Sequence, residues 1–187
     1  MLHVSMTDAM GHGVAAALLA TLALGSLRNS RRAELGVAEQ ARRANEAMIS
    51  NASEDQFVTG LLLRVELRTG RVVAVNAGHP WPYRLRDGRV DCLVLEADIP
   101  FGMVEQSTYH EQELQLEPGD RLVVITDGLL ERNAILAEFD IASALAETAA
   151  LHPREVVHVF KAAVLAASGA ELADDAAVLC IDWHGSS

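Results

Sequence analysis

The sequence predicts an α+β fold in which mainly antiparallel sheets carry helices on their outer faces. Three observations lead there. The elements run strand, two helices, a series of strands, two helices and a last strand. Within the central series, tight-turn pairs such as Thr69-Gly70 and Asp87-Gly88 separate successive strands, which joins them as antiparallel neighbours. Half of the 187 residues are apolar, which suffices for the core of one domain of this length.

Leu2, Val4 and Met6 alternate with His3, Ser5 and Thr7, the period of a strand, and Asp8 closes the run. Asp8-Ala9-Met10-Gly11-His12-Gly13 is a turn with two glycines leading into an Ala/Leu-rich helix over 14–29. Its apolar stretch is about 14 residues, short of the roughly 20 that span a bilayer, so it reads as a buried helix. A second helix over 36–50 places Val37, Ala41, Ala44 and Met48 on one face and Arg/Glu on the other. From Gln56 the period becomes two. Residues 57–67 and 71–76 form a hairpin, and Asn76-Ala77-Gly78-His79-Pro80 is a loop punctuated by Gly and Pro. A second hairpin joins 83–85 to 90–95, and 110–116 is a further strand. Pro118-Gly119-Asp120 then turns the chain into a near-continuous apolar strand, 121–126, which ends at Asp127-Gly128. Helices over 138–150 and 153–167 follow, and Asp174-Asp175 precede a final strand over 176–181. With no repeats, charge blocks or linkers, the expectation is a single domain, 1–187.

Composition narrows the function. Fifteen Lys+Arg against 26 Asp+Glu give a formal charge of −11, and Arg31-Arg32 and Arg42-Arg43 are the densest basic runs. This argues against a nucleic-acid binder. Cys92 and Cys180 lie in aliphatic runs at no metal-ligand spacing and read as buried, reduced thiols of a cytoplasmic protein. The N-terminus lacks the charged region of a signal peptide, and no membrane insertion is expected.

Asp8, Asp127 and Asp174 each stand where an apolar strand meets a turn. Each alone reads as a turn-former or helix cap. Together, on rigid strand ends, they could converge, and such like charges are tolerated only when cations neutralise them. Carboxylate oxygens without paired His or Cys favour Mg²⁺ or Mn²⁺ over zinc. A Cys-containing phosphate loop and a Gly-x-Ser-x-Gly elbow are both missing, and Gly11-His12-Gly13 is too short for a dinucleotide or P-loop signature.

The neighbours of these acids occur in one order: Asp8-Ala9-Met10-Gly11-His12-Gly13, Phe57-Val58-Thr59, Asn76-Ala77-Gly78-His79, Pro100-Phe101-Gly102, Gly119-Asp120-Arg121-Leu122, Thr126-Asp127-Gly128 and Asp174-Asp175. This series resembles the PPM (PP2C-like) protein serine/threonine phosphatases of the SpoIIE/RsbU branch, over about residues 2–181. The resemblance implies a PP2C-like αββα sandwich of two antiparallel sheets flanked by helix pairs, with two Mn²⁺ or Mg²⁺ ions. Carried over by position, Asp8 would bridge both ions, the Ala9 carbonyl would ligate one, and Asp127 and Asp174 would complete the other's shell. Asp175 falls where the family varies and is a weaker ligand candidate. Two such ions suit hydrolysis of a phosphoserine monoester, because they lower the pKa of a bound water and clamp phosphoryl oxygens. His12 stands four residues after Asp8, with Met10 where eukaryotic relatives place a candidate general acid, so His12 is not assigned that role. His79 reads as ordering its Gly-Pro loop.

Relatives begin with an earlier strand hairpin whose Gly-Asp helps hold the second ion. This chain starts at the strand that ends in Asp8, so the expectation is a domain truncated relative to the family. The uncovered strand edge would be open to dimerisation. The resemblance implies a phosphorylated STAS-type anti-sigma-factor antagonist as substrate, and an upstream sensor or receiver module. The alternative is a degenerate phosphatase domain that binds a signalling partner without turnover.

Overall fold

The computed structural model describes residues 1–11, 13–51, 56–126, 140–167 and 177–185. Among them the chain runs β1 (Leu2–Ala9), α1 (Gly13–Arg32), α2 (Val37–Ile49), β2 (Val58–Val65), β3 (Arg71–Ala77), β4 (Tyr83–Arg86), β5 (Arg89–Cys92), β6 (Gln112–Gln115), β7 (Asp120–Ile125), α3 (Ile141–Ala146), α4 (Pro153–Ala167) and β8 (Val178–Trp183). The strands form two four-stranded sheets, ordered β1-β2-β3-β6 and β5-β4-β7-β8, and every strand pair is antiparallel. Each sheet belongs to its own compact unit: Met1–Leu67, Arg71–His79 and Leu95–Gln115 make the first, and Arg68–Gly70, Pro80–Val94 and Leu116–Ser187 the second.

In the first unit, α1 and α2 lie on one face of the sheet. Leu19, Ala23 and Leu27 of α1 and Val37, Ala41, Ala44 and Met48 of α2 meet Val58 and Leu62 of β2 and Val73, Val75 and Ala77 of β3. The alternate residues Leu61, Leu63, Val65, Val72 and Ala74 are also buried, so β2 and β3 are apolar on both faces. This explains why their sequences show little of the polar alternation of a half-exposed strand. β1 is an edge strand of this sheet.

α1 differs from the buried helix expected of its composition. It buries one narrow stripe, while Val14, Leu18 and Leu24 stay 78%, 65% and 44% exposed. Alanine-rich sequence supplies helix propensity all round, so the period of burial was not readable from it. No described helix is long and apolar enough to cross a membrane.

In the second unit, Val123 and Ile125 of β7 pack against Ile141 and Leu145 of α3 and Val156 and Phe160 of α4. Asp140 caps α3, its carboxylate accepting from the Ala142 and Ser143 N–H groups at 3.0 and 3.2 Å. The chain then turns over 147–150, where the sequence pattern predicts continued helix. Pro153 opens α4, where its missing N–H costs nothing. The last strand reaches Trp183, two residues beyond its expected end. Both cysteines are free, but neither is fully buried: Cys92 is exposed on edge strand β5 and Cys180 is half-buried on edge strand β8. Burial pushes the Cys180 thiol up to about 11.

Arg121 ties this unit together. Its guanidinium is bidentate to Asp182 across the β7–β8 pair, at 2.6 and 2.8 Å. It also donates to the Thr148 and Leu151 carbonyls at 2.8 and 2.6 Å, in the turn after α3. Arg86 grips the buried Asp120 in the same bidentate way, with both bonds at 2.7 Å. The Arg121 bond holds the Asp182 carboxyl below the usual range. Burial by itself would raise Asp120, but Arg86 and the Glu117 N–H outweigh it and hold that carboxyl low as well.

Arg121→Met strands Asp182 without its partner, so it should lower the unfolding free energy by ~3 kcal/mol in urea denaturation. The two depressed carboxyls stabilise the fold fully above their unfolded pKa, near about 4, and lose that contribution as pH falls through their folded values. The wild-type melting temperature should therefore drop below about pH 4, and Asp182→Asn should flatten that drop.

Candidate active site

Asp8 stands at the end of β1, opposite Thr59 of β2, with Ala9 opposite Val58. The Met10 N–H donates to the Phe57 carbonyl at 3.0 Å and carries the pairing one residue further. Gly11 and Gly13 then take φ of 91° and 81°, a left-handed backbone that side chains disfavour, and α1 begins at once. Among the described residues, and apart from the adjoining chain, no atom lies within 4 Å of where a Cβ would project from either glycine. Asp8 is half-buried at the end of β1.

Behind Asp8 lies a polar group built from β2, the end of β3 and residues 78–80; Asn76 and Ala77, expected in the loop, belong to the strand. The Thr59 hydroxyl donates to the Asp8 carbonyl at 3.5 Å and sits 3.1 Å from His79 Nδ1. With the hydroxyl proton directed at Asp8, the consistent tautomer of His79 carries its hydrogen on Nδ1 and donates to Thr59. The His79 N–H donates to Asn76 Oδ1 at 2.7 Å, and the Asn76 carbonyl accepts from the Asp98 N–H at 2.7 Å. Asn76 is completely buried, and its Nδ2 has no hydrogen-bond partner among the described residues. His79 is 4% exposed, its ring fixed within the loop that the sequence assigned it to.

Close backbone approach holds this group in place. A Cβ on Gly60 would lie 2.5 Å from the Phe101 ring, and one on Gly78 would lie 2.7 Å from Pro100. Gly60 and Gly78 bridge β2 to the loop, while Val58 and Phe101 exchange both backbone hydrogen bonds at 2.9 Å. Asn45 is a residue the sequence reading missed. Fully buried on α2, it donates to the Val104 carbonyl and accepts from the Gly102 N–H, both at 2.8 Å, and so pins the segment that carries Phe101. The available signal was an Asn four residues after Ala41 and three before Met48, on the helix's apolar side.

Of the residues expected to bind metal, Asp8 and Ala9 are described; Asp127, Asp174 and Asp175 lie outside the described residues, as does His12. Thr126 and Ala177 flank two of those stretches and are bonded to each other. The Thr126 N–H donates to the Ala177 carbonyl at 3.1 Å, and the Ala177 N–H donates to the Thr126 hydroxyl at 3.0 Å. The described donors are of the kind a hard divalent ion takes: a carboxylate and a neighbouring carbonyl at a half-exposed strand end. Among the described residues no group of three or more His, Cys, Asp or Glu that could hold a metal ion occurs.

Gly60→Ala would drive a methyl into the Phe101 ring. It should destabilise the domain by ~2 kcal/mol in chemical denaturation, and Phe101→Leu in the same chain should restore part of the loss.

Comparison with known proteins places this geometry. The family model described as "Stage II sporulation protein E (SpoIIE)" matches residues 1–184. The phosphoserine phosphatase RsbP of Bacillus subtilis (strain 168) is 27% identical over 139 residues, which cover 72% of this chain and 34% of RsbP. The PP2C phosphatase domain of SpoIIE from Bacillus subtilis, solved with a fragment of its regulatory domain, superposes with a TM-score of 0.82 at 16% identity. That match covers 99% of this chain and 55% of the other. The catalytic domain of the serine/threonine phosphatase PstP, solved with two manganese ions, superposes with a TM-score of 0.65 at 16% identity, covering 95% and 85% of the two chains. The chain thus spans about a third of RsbP and about half of the solved SpoIIE chain. With the PP2C-like fold and a family match over nearly its whole length, the chain belongs to the SpoIIE family, a branch of the PPM phosphatases.

Proposed function

We propose that residues 1–187 form one metal-dependent phosphatase domain that hydrolyses phosphoserine or phosphothreonine on a signalling protein. The observation that carries this reading is the half-buried Asp8 at the β1 end, within a family match over 1–184. The donors are Asp8, the Ala9 carbonyl, Asp127 and Asp174, with Asp175 as a further contributor. Mn²⁺ or Mg²⁺ held there supplies charge neutralisation for a phosphate dianion and a lowered pKa for water. The manganese in PstP and the oxygen-only donor set support that choice.

The chain's own residues supply position. The β1–β2 register sets where the Asp8 carboxylate projects, and Thr59 holds its carbonyl from the neighbouring strand. His79 and Asn76 fix the loop behind Thr59, so the strand end has little freedom to reorient. Such preorganisation is what lets charged groups stabilise a transition state without rearranging.

The phosphoserine in the name of RsbP supports the class of bond cleaved. By family resemblance the substrate is a phosphorylated STAS-type anti-sigma-factor antagonist, met in the cytoplasm, with a sensor or receiver module upstream in the whole protein.

Phosphate release from such a phosphoprotein, measured across a Mn²⁺ titration, tests the reading. Turnover should require the metal, and Asp8→Ala should lower it by at least ~100-fold (about 2.7 kcal/mol). Clustered carboxylates repel one another, so Mn²⁺ should also raise the melting temperature, by about 2.7 kcal/mol of stabilisation at 100 times its Kd. Asp127→Asn should weaken that response and leave the fold intact. A melting curve unmoved by millimolar Mn²⁺, or an Asp8→Ala rate equal to wild type, would sink the proposal. Partner binding without turnover would identify a degenerate phosphatase domain instead.

A further inference from the structure

A second polar site lies at the opposite end of β1 from Asp8. A cavity of about 210 Å³ is lined by His3 and Ser5 of β1, Arg28 and Arg31 of α1 and Gln40 of α2, over a floor of leucine and valine side chains. Five residues of strand at about 3.3 Å each put His3 about 17 Å from Asp8, so the two sites are separate. Arg28 and Arg31 are three apart on one helix face, and His3 and Ser5 are two apart on one strand face, so each pair points the same way.

The charge of this cavity runs against that of the chain. The sequence carries 26 Asp+Glu against 15 Lys+Arg, yet no carboxylate lines it. Arg42, Arg43, Arg71, Arg84, Arg86 and Arg121 each hold an Asp or Glu. Arg28, Arg31, Arg32, Arg64, Arg68, Arg89 and Arg154 hold none among the described residues; of these, Arg28 and Arg31 line the cavity, and Arg64 stands opposite His3 in the β1–β2 register. Burial first, and then the charges of Arg31 and Arg64, hold the His3 imidazole below its usual range. An anion between them would relieve that repulsion.

We infer that this cavity binds a small multivalent oxyanion bearing phosphate or carboxylate groups. Two guanidinium forks can each take an oxyanion edge in bidentate fashion, with Ser5, Gln40 and the imidazole as polar neighbours. The leucine and valine floor raises the strength of those bonds by excluding water. The volume holds an anion of several heavy atoms and excludes a folded partner, so the ligand is a small molecule. The site is independent of the phosphatase reading.

The test uses the chain stripped of metal with EDTA, which silences any anion binding through ions at Asp8. Pyrophosphate and citrate are titrated by calorimetry and thermal melting, against sodium chloride at matched ionic strength. Wild type should give saturable 1:1 binding, a melting shift of about 4 °C or more near saturation, and moving His3 ring resonances in NMR. Preference for pyrophosphate or for citrate identifies the phosphate or carboxylate source. Arg28→Gln/Arg31→Gln should weaken binding at least tenfold, while Arg32→Gln, on the same helix end but outside the cavity, and Asp8→Asn should bind like wild type. Two results overturn the inference: no effect beyond chloride with His3 resonances unmoved, or an equal loss in Arg32→Gln, which would mean helix-end charge alone. The wild-type His3 titration decides the matter even if the double variant fails to fold.

Discussion

The register between β1 and β2 is the constraint on which the rest of the candidate site depends. A strand's side chains alternate, so a slip of one residue would turn Asp8 to the opposite face and put Thr59 out of reach of its carbonyl. The register is held by what β2 buries. Val58 and Leu62 face the helices, Leu61, Leu63 and Val65 are buried on the other side, and a one-residue shift would exchange the two sets. Burying a large aliphatic side chain is worth about 1.5–3 kcal/mol. Several of them together leave β2 no alternative pairing, and β1 inherits its position from β2.

Around that frame, buried polar groups fix segments that regular structure does not. Asn45 reaches from α2 to the chain at 102–105, Asn76 holds the 76–79 turn, and Arg121 carries the turn after α3 onto β7 and β8. Each bonds to backbone groups of the segment it fixes, and a buried backbone group left without any partner costs about 1–3 kcal/mol. Apolar packing is non-directional and fills the core. These bonds are directional and set where loops run. The motifs Asn-Ala-Gly-His and Gly-Asp-Arg-Leu are for the most part such fasteners. Of the acids proposed to perform the chemistry, Asp8 is described and sits at the end of β1.

Charge follows the same division. Arg71, Arg84, Arg86 and Arg121 are bound to carboxylates on neighbouring strands or at their ends, which ties those strands together. Arg28, Arg31 and Arg64 have no such partner among the described residues and gather near His3, where the inferred anion would supply one.

Much of this was legible in the sequence. The turn of strand into helix at Asp8, the two hairpins, the start of α4 at Pro153 and the antiparallel pairing follow from local rules: alternation, Gly at left-handed positions, and the missing proline N–H. Those rules act over a few residues, so the sequence by itself determined the elements and their order. Three things it left to the tertiary structure. Which face of α1 is buried was hidden, because an Ala/Leu helix looks apolar from every side. The exposure of Cys92 depended on β5 falling at a sheet edge, which no local pattern records. The contacts of Asn45 with residues 57 to 60 positions away, and of Arg121 with Asp182, join parts of the chain whose approach is set only when the sheets and helices pack. Propensity and periodicity are properties of neighbours along the chain. A buried hydrogen bond between distant segments is decided by packing, and only the folded structure could supply it.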